Sequence, residues 1–410
     1  MSQPPVQSHA RVLLLATVLS LGAAISLGVT RFAYALLLPP MRADLQWSYA
    51  LAGGMNTANA VGYLIGALLT PALLRRWGPS VLLIWGAALA SVFMGLSGFF
   101  TDASALLLQR LLAGVASAFV LVAGSLLAVR LGAMHHARAG LLIGLYYGGT
   151  GIGIVLSAVL VPVLLQAAAG HAHGWAWSWW GLALACVAAT LALAWPARVL
   201  GRPVQAERAA DAATTAPVHF RWGDFAPALT GYGLFGVGYI GYMTFVIALL
   251  REQGVGPARL TVFYALLGVA VLASSRIWAG LLDRFDGGQP MTILSALLGV
   301  AILIPALTAQ WAAVLVSGLL FGAVFLSVVS STTALVRHNL PPSQWTAGIS
   351  AFTIVFAGGQ IVGPTVVGWI ADGEGGLARG LLFSAAALWL GAAVAWRQKP
   401  LAGRAVAATC

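Results

Sequence analysis

What this chain has least of is charge, and above all negative charge. Acidic residues number 10 against 21 Lys plus Arg, and charged residues make up 8% of the 410. Asp44, Asp102, Glu207, Asp211, Asp224, Glu252, Asp283, Asp286, Asp372 and Glu374 all fall in loops or at helix ends. So do His9, His135, His136, His171, His173, His219 and His338. An enzyme working within the apolar stretches would need a base or a metal ligand there, and they offer neither. No catalytic residue, cofactor or metal is therefore expected. Of the two cysteines, Cys186 lies in an apolar run and Cys410 at the C-terminus, so no disulfide is implied.

Apolar sequence is abundant instead. Sixty per cent of residues are hydrophobic and the mean hydropathy is +0.93, more apolar surface than one water-soluble core could hide. The uncharged runs Leu45–Leu74, Trp77–Thr101, Leu111–Val129 and Phe225–Leu250 each suit one membrane span of about 20 residues. Ala139–Ala197 and Gly287–Val336 are long enough for two spans each, with breaks at Gly170–Gly174 and near Pro305–Gln310. A first helix beginning after Arg11, one through Arg276, one after Trp345 and one ending at Trp396 complete twelve. The first apolar run is too long for a cleaved secretory signal, so that helix is expected to be retained.

The net charge of +11 is distributed as in a membrane protein rather than a nucleic-acid binder. With both termini inside, the inner segments hold Arg11, Arg75, Arg76, Arg130, Arg138, Arg198, Arg202, Arg208, Arg221, Arg284, Arg337, Arg397, Lys399 and Arg404. The outer loops hold only Arg42, Arg251, Arg259 and Arg379. That asymmetry sets the topology, with cytoplasmic termini in a bacterial-type inner membrane. Trp175, Trp177, Trp179 and Trp180 are expected to anchor at the interface as an aromatic belt.

Three cations interrupt the apolar spans. Arg31 follows the uncharged run Val12–Thr30 and precedes the next expected helix stop, Pro39. It thus lies about 12 Å inside the outer end. A charge at that depth is unfavourable unless it faces a polar cavity or a partner, or snorkels to the interface. Arg110 and Arg276 complete a set of three span cations with no span anion. A bound anion would balance them, and the planar guanidinium fork suits a carboxylate.

The chain also repeats itself at an offset near 208. Gly28-Val-x-x-x-x-Tyr34 returns as Gly236-Val-x-x-x-x-Tyr242, and Gly114 returns as Gly322. Gly148-Gly149 with Gly153 returns as Gly358-Gly359 with Gly363. Between the halves lies the one long polar segment, 198–224. The expected organisation is a six-helix bundle over 1–197, a cytoplasmic linker over 198–224, and a second bundle with a short tail over 225–410. Six-span internal repeats are the build of secondary transporters, with the site at the repeat interface.

These features together resemble the major facilitator superfamily over nearly the whole chain. That superfamily carries Gly-x-x-x-Asp-Arg-x-Gly-Arg between helices two and three, echoed between helices eight and nine. Leu73-Leu74-Arg75-Arg76-Trp77-Gly78 stands at the first place, with Arg75 where the acid usually sits. Gly280-Leu281-Leu282-Asp283-Arg284-Phe285-Asp286-Gly287 stands at the second and is better kept. Arg110-Leu-Leu-Ala-Gly114 is similar to the helix-four Arg-x-x-x-Gly pattern. The stretch Arg31–Met41 with Asn56–Tyr63 resembles the YbfB/YjiJ group. Arg276-Ile-Trp-Ala-Gly280 resembles the helix-eight pattern of oxalate and monocarboxylate transporters, in which the arginine binds the substrate carboxylate. The resemblance implies an all-α membrane protein whose twelve transmembrane helices form two pseudo-symmetric six-helix bundles. It also implies an inner gate, for which Arg75, Arg76, Asp283 and Arg284 are the candidates.

The expected activity is alternating-access transport of a small organic anion, in particular a carboxylate. The substrate-binding candidates are Arg31, Arg276, Tyr34, Asn59, Arg110, Tyr239, Tyr242 and Gln360. Each has a plainer reading: helix packing for Arg110, an inner-gate contact for Arg276, aromatic packing for the tyrosines. Asn56, Asn59 and Tyr63 share one helix face, which an interhelical hydrogen bond explains as well as a ligand does. No acid or histidine titrates inside the spans, so a coupled proton would travel with the substrate or bind at a helix end such as Asp283; a counter-anion would serve equally. The expected surroundings are the lipid bilayer, with the protein as a monomer and without nucleic acid. An exporter of drugs or other amphiphiles is the alternative within transport, and a non-transporting receptor the alternative outside it.

Overall fold

The computed structural model describes residues 9–134, 139–201, 220–341 and 344–401. Most of the expected linker, together with Glu207, Asp211 and Cys410, lies outside the described residues. Eleven described helices are long and apolar enough to cross a membrane. One of them, Tyr49–Ser97, has 49 residues and would run about 73 Å as a single helix, more than twice a hydrocarbon core. It turns at Gly78, where φ is 75° and ψ 165°, a conformation that a residue without Cβ adopts cheaply. Pro79 then opens the next helix, where its missing N–H costs least. Twelve spans result: α1 (Ala10–Leu45), α2 (49–77), α3 (79–97), α4 (Ala103–Met134), α5 (Ala139–Ala167), α6 (Trp175–Leu200), α7 (Ala226–Glu252), α8 (Pro257–Ile277), α9 (Gln289–Leu307), α10 (Trp311–Asn339), α11 (Trp345–Ala371) and α12 (Gly376–Ala395). Among the described residues there is no strand.

Helix contacts in a bilayer gain nothing from excluding water, so close backbone approach at small residues does the work. The same approaches occur twice. A Cβ on Gly28 of α1 would lie 2.6 Å from Gly153 Cα of α5, and one on Gly236 of α7 would lie 3.2 Å from Gly359 Cα of α11. Gly114 of α4 sits on the Asn59 carbonyl of α2, as Gly322 of α10 sits on the Leu267 carbonyl of α8. Gly98 at the end of α3 lies against the Trp180 indole of α6, and Gly299 of α9 against the Trp389 indole of α12. Pairs α1–α5, α2–α4 and α3–α6 are thus matched by α7–α11, α8–α10 and α9–α12. The molecule is two pseudo-symmetric six-helix bundles.

Three local expectations change. Pro39 does not stop α1: Pro39 and Pro40 lie inside the helix, which continues to Leu45, since the fixed φ of proline is compatible with helical geometry. The irregularity falls earlier, where Ala24–Phe32 winds as a π-helix. The tryptophan belt is divided. Trp177 and Trp180 are exposed, but Trp175 and Trp179 are 2% and 1% exposed. They face inward because each has a polar neighbour there. Trp175 Nε1 donates to Asp44 at 2.6 Å, and the Trp179 ring lies 5.7 Å from the Arg110 guanidinium.

Candidate functional site

The wide turns of Ala24–Phe32 take backbone groups out of the ordinary helical ladder, a feature often found at functional sites. Thr30 Oγ1 bonds back to the Ile25 carbonyl at 2.6 Å. The Thr30 carbonyl accepts from Arg110 Nη1 at 2.6 Å. The Phe32 carbonyl accepts from the Tyr264 hydroxyl of α8 at 2.7 Å. Arg31 stands between these two acceptors.

Both terminal nitrogens of Arg110 are bonded, while its buried Nε has no partner. Its Nη2 donates to Asn56 Oδ1 at 2.9 Å, its guanidinium lies 5.0 Å from the Tyr34 ring centroid, and Asn59 Nδ2 donates to its backbone carbonyl at 3.1 Å. Tyr34 in turn donates to the Ala52 carbonyl at 2.9 Å. Tyr242 shares a hydrogen bond with Ser317 at 2.7 Å and stacks on Phe321. Arg110, Tyr34, Asn59 and Tyr242 are therefore each hydrogen-bonded within the protein itself.

Arg31 differs. Its side chain is 3% exposed, yet Nε and Nη2 have no hydrogen-bond partner. Buried donors normally find partners, and leaving them unmade is costly. Gln360 of α11 is likewise buried with Oε1 unpartnered, and so is Thr150 Oγ1 of α5. The Thr150 carbonyl lies 2.6 Å from where a Gly28 Cβ would be, three residues before Arg31.

Arg276 is not a buried span cation. It is exposed, one residue before the end of α8. The backbone leaves helical geometry at Trp278 (φ −105°, ψ 2°). The expected gate residues Arg75, Arg76, Asp283 and Arg284 are exposed too. Nearby, Asp286 Oδ1 lies 3.2 Å from His338 Nδ1.

At the end carrying Arg42 and Asp372 the two bundles interlock. Asp372 at the end of α11 accepts from the N–H groups of Tyr49 at 2.7 Å and Ala50 at 2.9 Å. These are free donors of the α2 N-terminus, where negative charge is also favoured. The Tyr49 hydroxyl bonds to Glu252 at the end of α7, while Arg42 covers its ring at 3.7 Å. One turn deeper, Gly53 meets the Pro364 carbonyl and Gly368 the Tyr49 carbonyl. Thr57 Oγ1 donates to the Ile361 carbonyl at 2.7 Å and pairs with Thr365 at 2.8 Å. A cleft of about 670 Å³ beside Asp372, lined by Trp369, Arg379 and Phe383, involves none of the inner polar groups.

Two helical bundles joined face to face, with unpartnered polar groups buried along α1, α5 and α11, have the build of a membrane transporter. The family comparison makes this specific. Residues 23–396 match the model of the family described as "Uncharacterised MFS-type transporter YbfB", and the chain belongs to that family of the major facilitator superfamily. It is a multi-pass membrane transporter and not an enzyme. A putative metabolite transport protein of Haemophilus influenzae is 30% identical over 149 residues, 35% of this chain and 36% of that protein. The probable anion transporter 4, chloroplastic, of Arabidopsis thaliana is 29% identical over 139 residues, 33% of this chain and 26% of that protein. These two matches thus span only about a third and a quarter of those relatives. Among solved structures, the nucleoside transporter NupG aligns with a TM-score of 0.70 at 14% identity, over 95% of this chain and 100% of that one. The human organic anion transporter MFSD10 (TETRAN) aligns with 0.64 at 16% identity, over 96% and 100%. At such identities the likeness concerns the fold.

Proposed function

We propose that the protein moves a small organic anion, a carboxylate, across a bacterial inner membrane, with Arg31 as the group that holds it. One observation carries this reading: a guanidinium 3% exposed with two nitrogens unpartnered. Such a charge is uncompensated until an anion arrives. A carboxylate would supply two parallel acceptors to those donors, and Tyr63, Tyr239 and Gln360 would complete its hydrogen bonds. The relatives named as anion transporters lend support. Exposed Arg276 is left out of the contact set.

In the same reading residues 1–197 and 225–410 are the moving bundles and 198–224 joins them in the cytoplasm. The seal at Asp372 then closes the periplasmic side, and rocking of the bundles about Arg31 exchanges it for closure at the opposite end.

The test is a thermal-shift and binding screen of the purified protein against organic anions, cations and sugars, repeated on Arg31→Lys and Arg31→Ala. Anions should stabilise the parent. Arg31→Ala should lose on the order of 2–5 kcal/mol of binding, as expected when one partner of a desolvated charge pair is removed. Arg31→Lys keeps the charge but loses the fork, and should bind more weakly than the parent. Stabilisation by cations alone, or parental affinity in a folded Arg31→Ala, would refute the reading.

A further inference from the structure

We propose that the cleft beside Asp372 seats one membrane phospholipid whose headgroup carries both a phosphate and a primary ammonium. The site is separate from the buried polar groups around Arg31 and does not depend on what they bind. The cleft takes its lining from α11, α12 and the turn between them. Its volume of about 670 Å³ falls within the ~300–1,000 Å³ of ligand clefts. On α12 it is lined by Arg379, Leu382, Phe383 and Ala386, which at i, i+3, i+4 and i+7 form one helix face. That face begins with a cation in the first turn of α12 and continues apolar for about 10 Å, taking seven residues at the helical rise. Trp369 of α11 adds a second apolar wall. Its side chain is 72% exposed, and Leu382 and Phe383 are 40% and 36% exposed. Both helices are membrane spans, so exposed apolar side chains along them meet lipid rather than water.

The headgroup follows from the charges at the helix ends. Arg379 and Asp372 line the same cleft, and among the described residues no ion pair joins them. Arg379 Nη1 donates to the Glu374 carbonyl at 3.2 Å, one bond from a fork that carries five donors. Its stem rests on the turn: a Cβ on Gly375, where φ is 90°, would lie 3.2 Å from Arg379 Cβ. Asp372 accepts one N–H on each oxygen, from Tyr49 and Ala50, and a carboxylate has about four acceptor sites. A cation and an anion with capacity to spare, at the polar end of an apolar groove, match an amphiphile that carries both charges. The guanidinium would take the phosphate and the carboxylate the ammonium, while an acyl chain follows Leu382, Phe383 and Ala386 into the membrane. A headgroup with the phosphate charge alone would be repelled by Asp372. A quaternary amine would bring Asp372 no N–H donor.

The purified full-length protein is stripped of lipid in detergent and given phosphatidylethanolamine, phosphatidylcholine or phosphatidylglycerol with identical acyl chains. Bound lipid is counted by native mass spectrometry and stability is followed by thermal shift. Phosphatidylethanolamine should be held most tightly and should raise the melting temperature most. Arg379→Ala should weaken its retention about 3–10-fold, as for loss of one hydrogen-bonded contact. Ala386→Trp should weaken it too, by filling the apolar part of the cleft without touching either charge. Leu184→Trp, at an exposed position on α6 of the other bundle, is the control and should retain the lipid like the parent. Because Asp372 also caps α2, its contact is probed on the lipid, through the methylated amine of phosphatidylcholine. Phosphatidylcholine or phosphatidylglycerol held as tightly as phosphatidylethanolamine would overturn the headgroup assignment. Retention by Arg379→Ala and Ala386→Trp equal to that of Leu184→Trp would show ordinary surrounding lipid and no site. The two cleft variants are independent, so if one fails to fold the other and the lipid series still decide.

Discussion

The Asn56 amide donates to Thr244 Oγ1 at 2.8 Å, joining α2 to α7 across the bundle interface. Its carbonyl oxygen accepts from Arg110. One amide therefore ties a buried cation of one bundle to a hydroxyl of the other, and Thr244 itself anchors to the Ile240 carbonyl at 2.7 Å. This bond, Thr57–Ile361, Thr57–Thr365, Tyr264–Phe32 and the Tyr49 and Ala50 contacts are hydrogen bonds between bundles. They cluster from the Asp372 end to about mid-depth.

Arg110→Ala should act on stability rather than on affinity. It leaves the Thr30 carbonyl and the Asn56 oxygen without donors, at about 1–3 kcal/mol for each buried group left unsatisfied. A clear fall in melting temperature, with parental ligand affinity in the fraction that folds, is the expected outcome. Affinity lost at unchanged melting temperature would place Arg110 in the binding site.

Asp372→Ala should loosen the seal at its own end. It removes the acceptor for two N–H groups at the start of α2, and loss of an N-terminal cap costs about 0.5–2 kcal/mol. The reporter is Thr57→Cys in a Cys410→Ser background, labelled by an impermeant maleimide from outside. Buried Cys186 gives little signal of its own. Labelling should rise when Asp372→Ala is added; unchanged labelling would mean that the contact does not hold the gate.

Gly53→Ala should prevent the same closure by crowding. The added methyl would run into the Pro364 carbonyl, whereas at neighbouring Gly54 nothing lies within 4 Å. Gly53→Ala should increase external labelling of Thr57→Cys and Gly54→Ala should not. Equal behaviour of the two would count against a glycine-dependent seal.

A tag inserted near Ala210 tests the orientation. With cytoplasmic termini it should be reached only after the membrane is opened. Access from the outside in intact cells would invert the assignment of the Asp372 seal.

Much of the fold was legible because a bilayer imposes length and polarity on each span. The turn at Gly170–Gly174, the break between Leu307 and Trp311, and the pairing of Gly28 with Gly236 all follow from runs and repeats in the chain. The depth of Arg31 was legible for the same reason. Its openness was not, because that depends on which neighbours decline to bond with it. The cage around Arg110 draws Thr30, Asn56, Tyr34 and Trp179 from three other helices, and spacing along α4 carries no trace of them. Trp175 and Trp179 look like their exposed neighbours Trp177 and Trp180 until Asp44 and Arg110 are set beside them. The π-helical stretch turns on a change of register that composition does not encode.

That change of register has a consequence for how α1 tolerates gain or loss of chain. Across Ala24–Phe32 the helix holds residues out of step with an ordinary 3.6-residue turn, so the parts on either side are two separate angular frames. Deleting a single residue there would let the ladder close in the usual way and change the angle of Tyr34–Leu45 against the part before Ala24. Tyr34 would turn away from the Ala52 carbonyl, and the Phe32 carbonyl away from Tyr264. A one-residue deletion at this point should therefore be far more damaging than a substitution at most of the same positions.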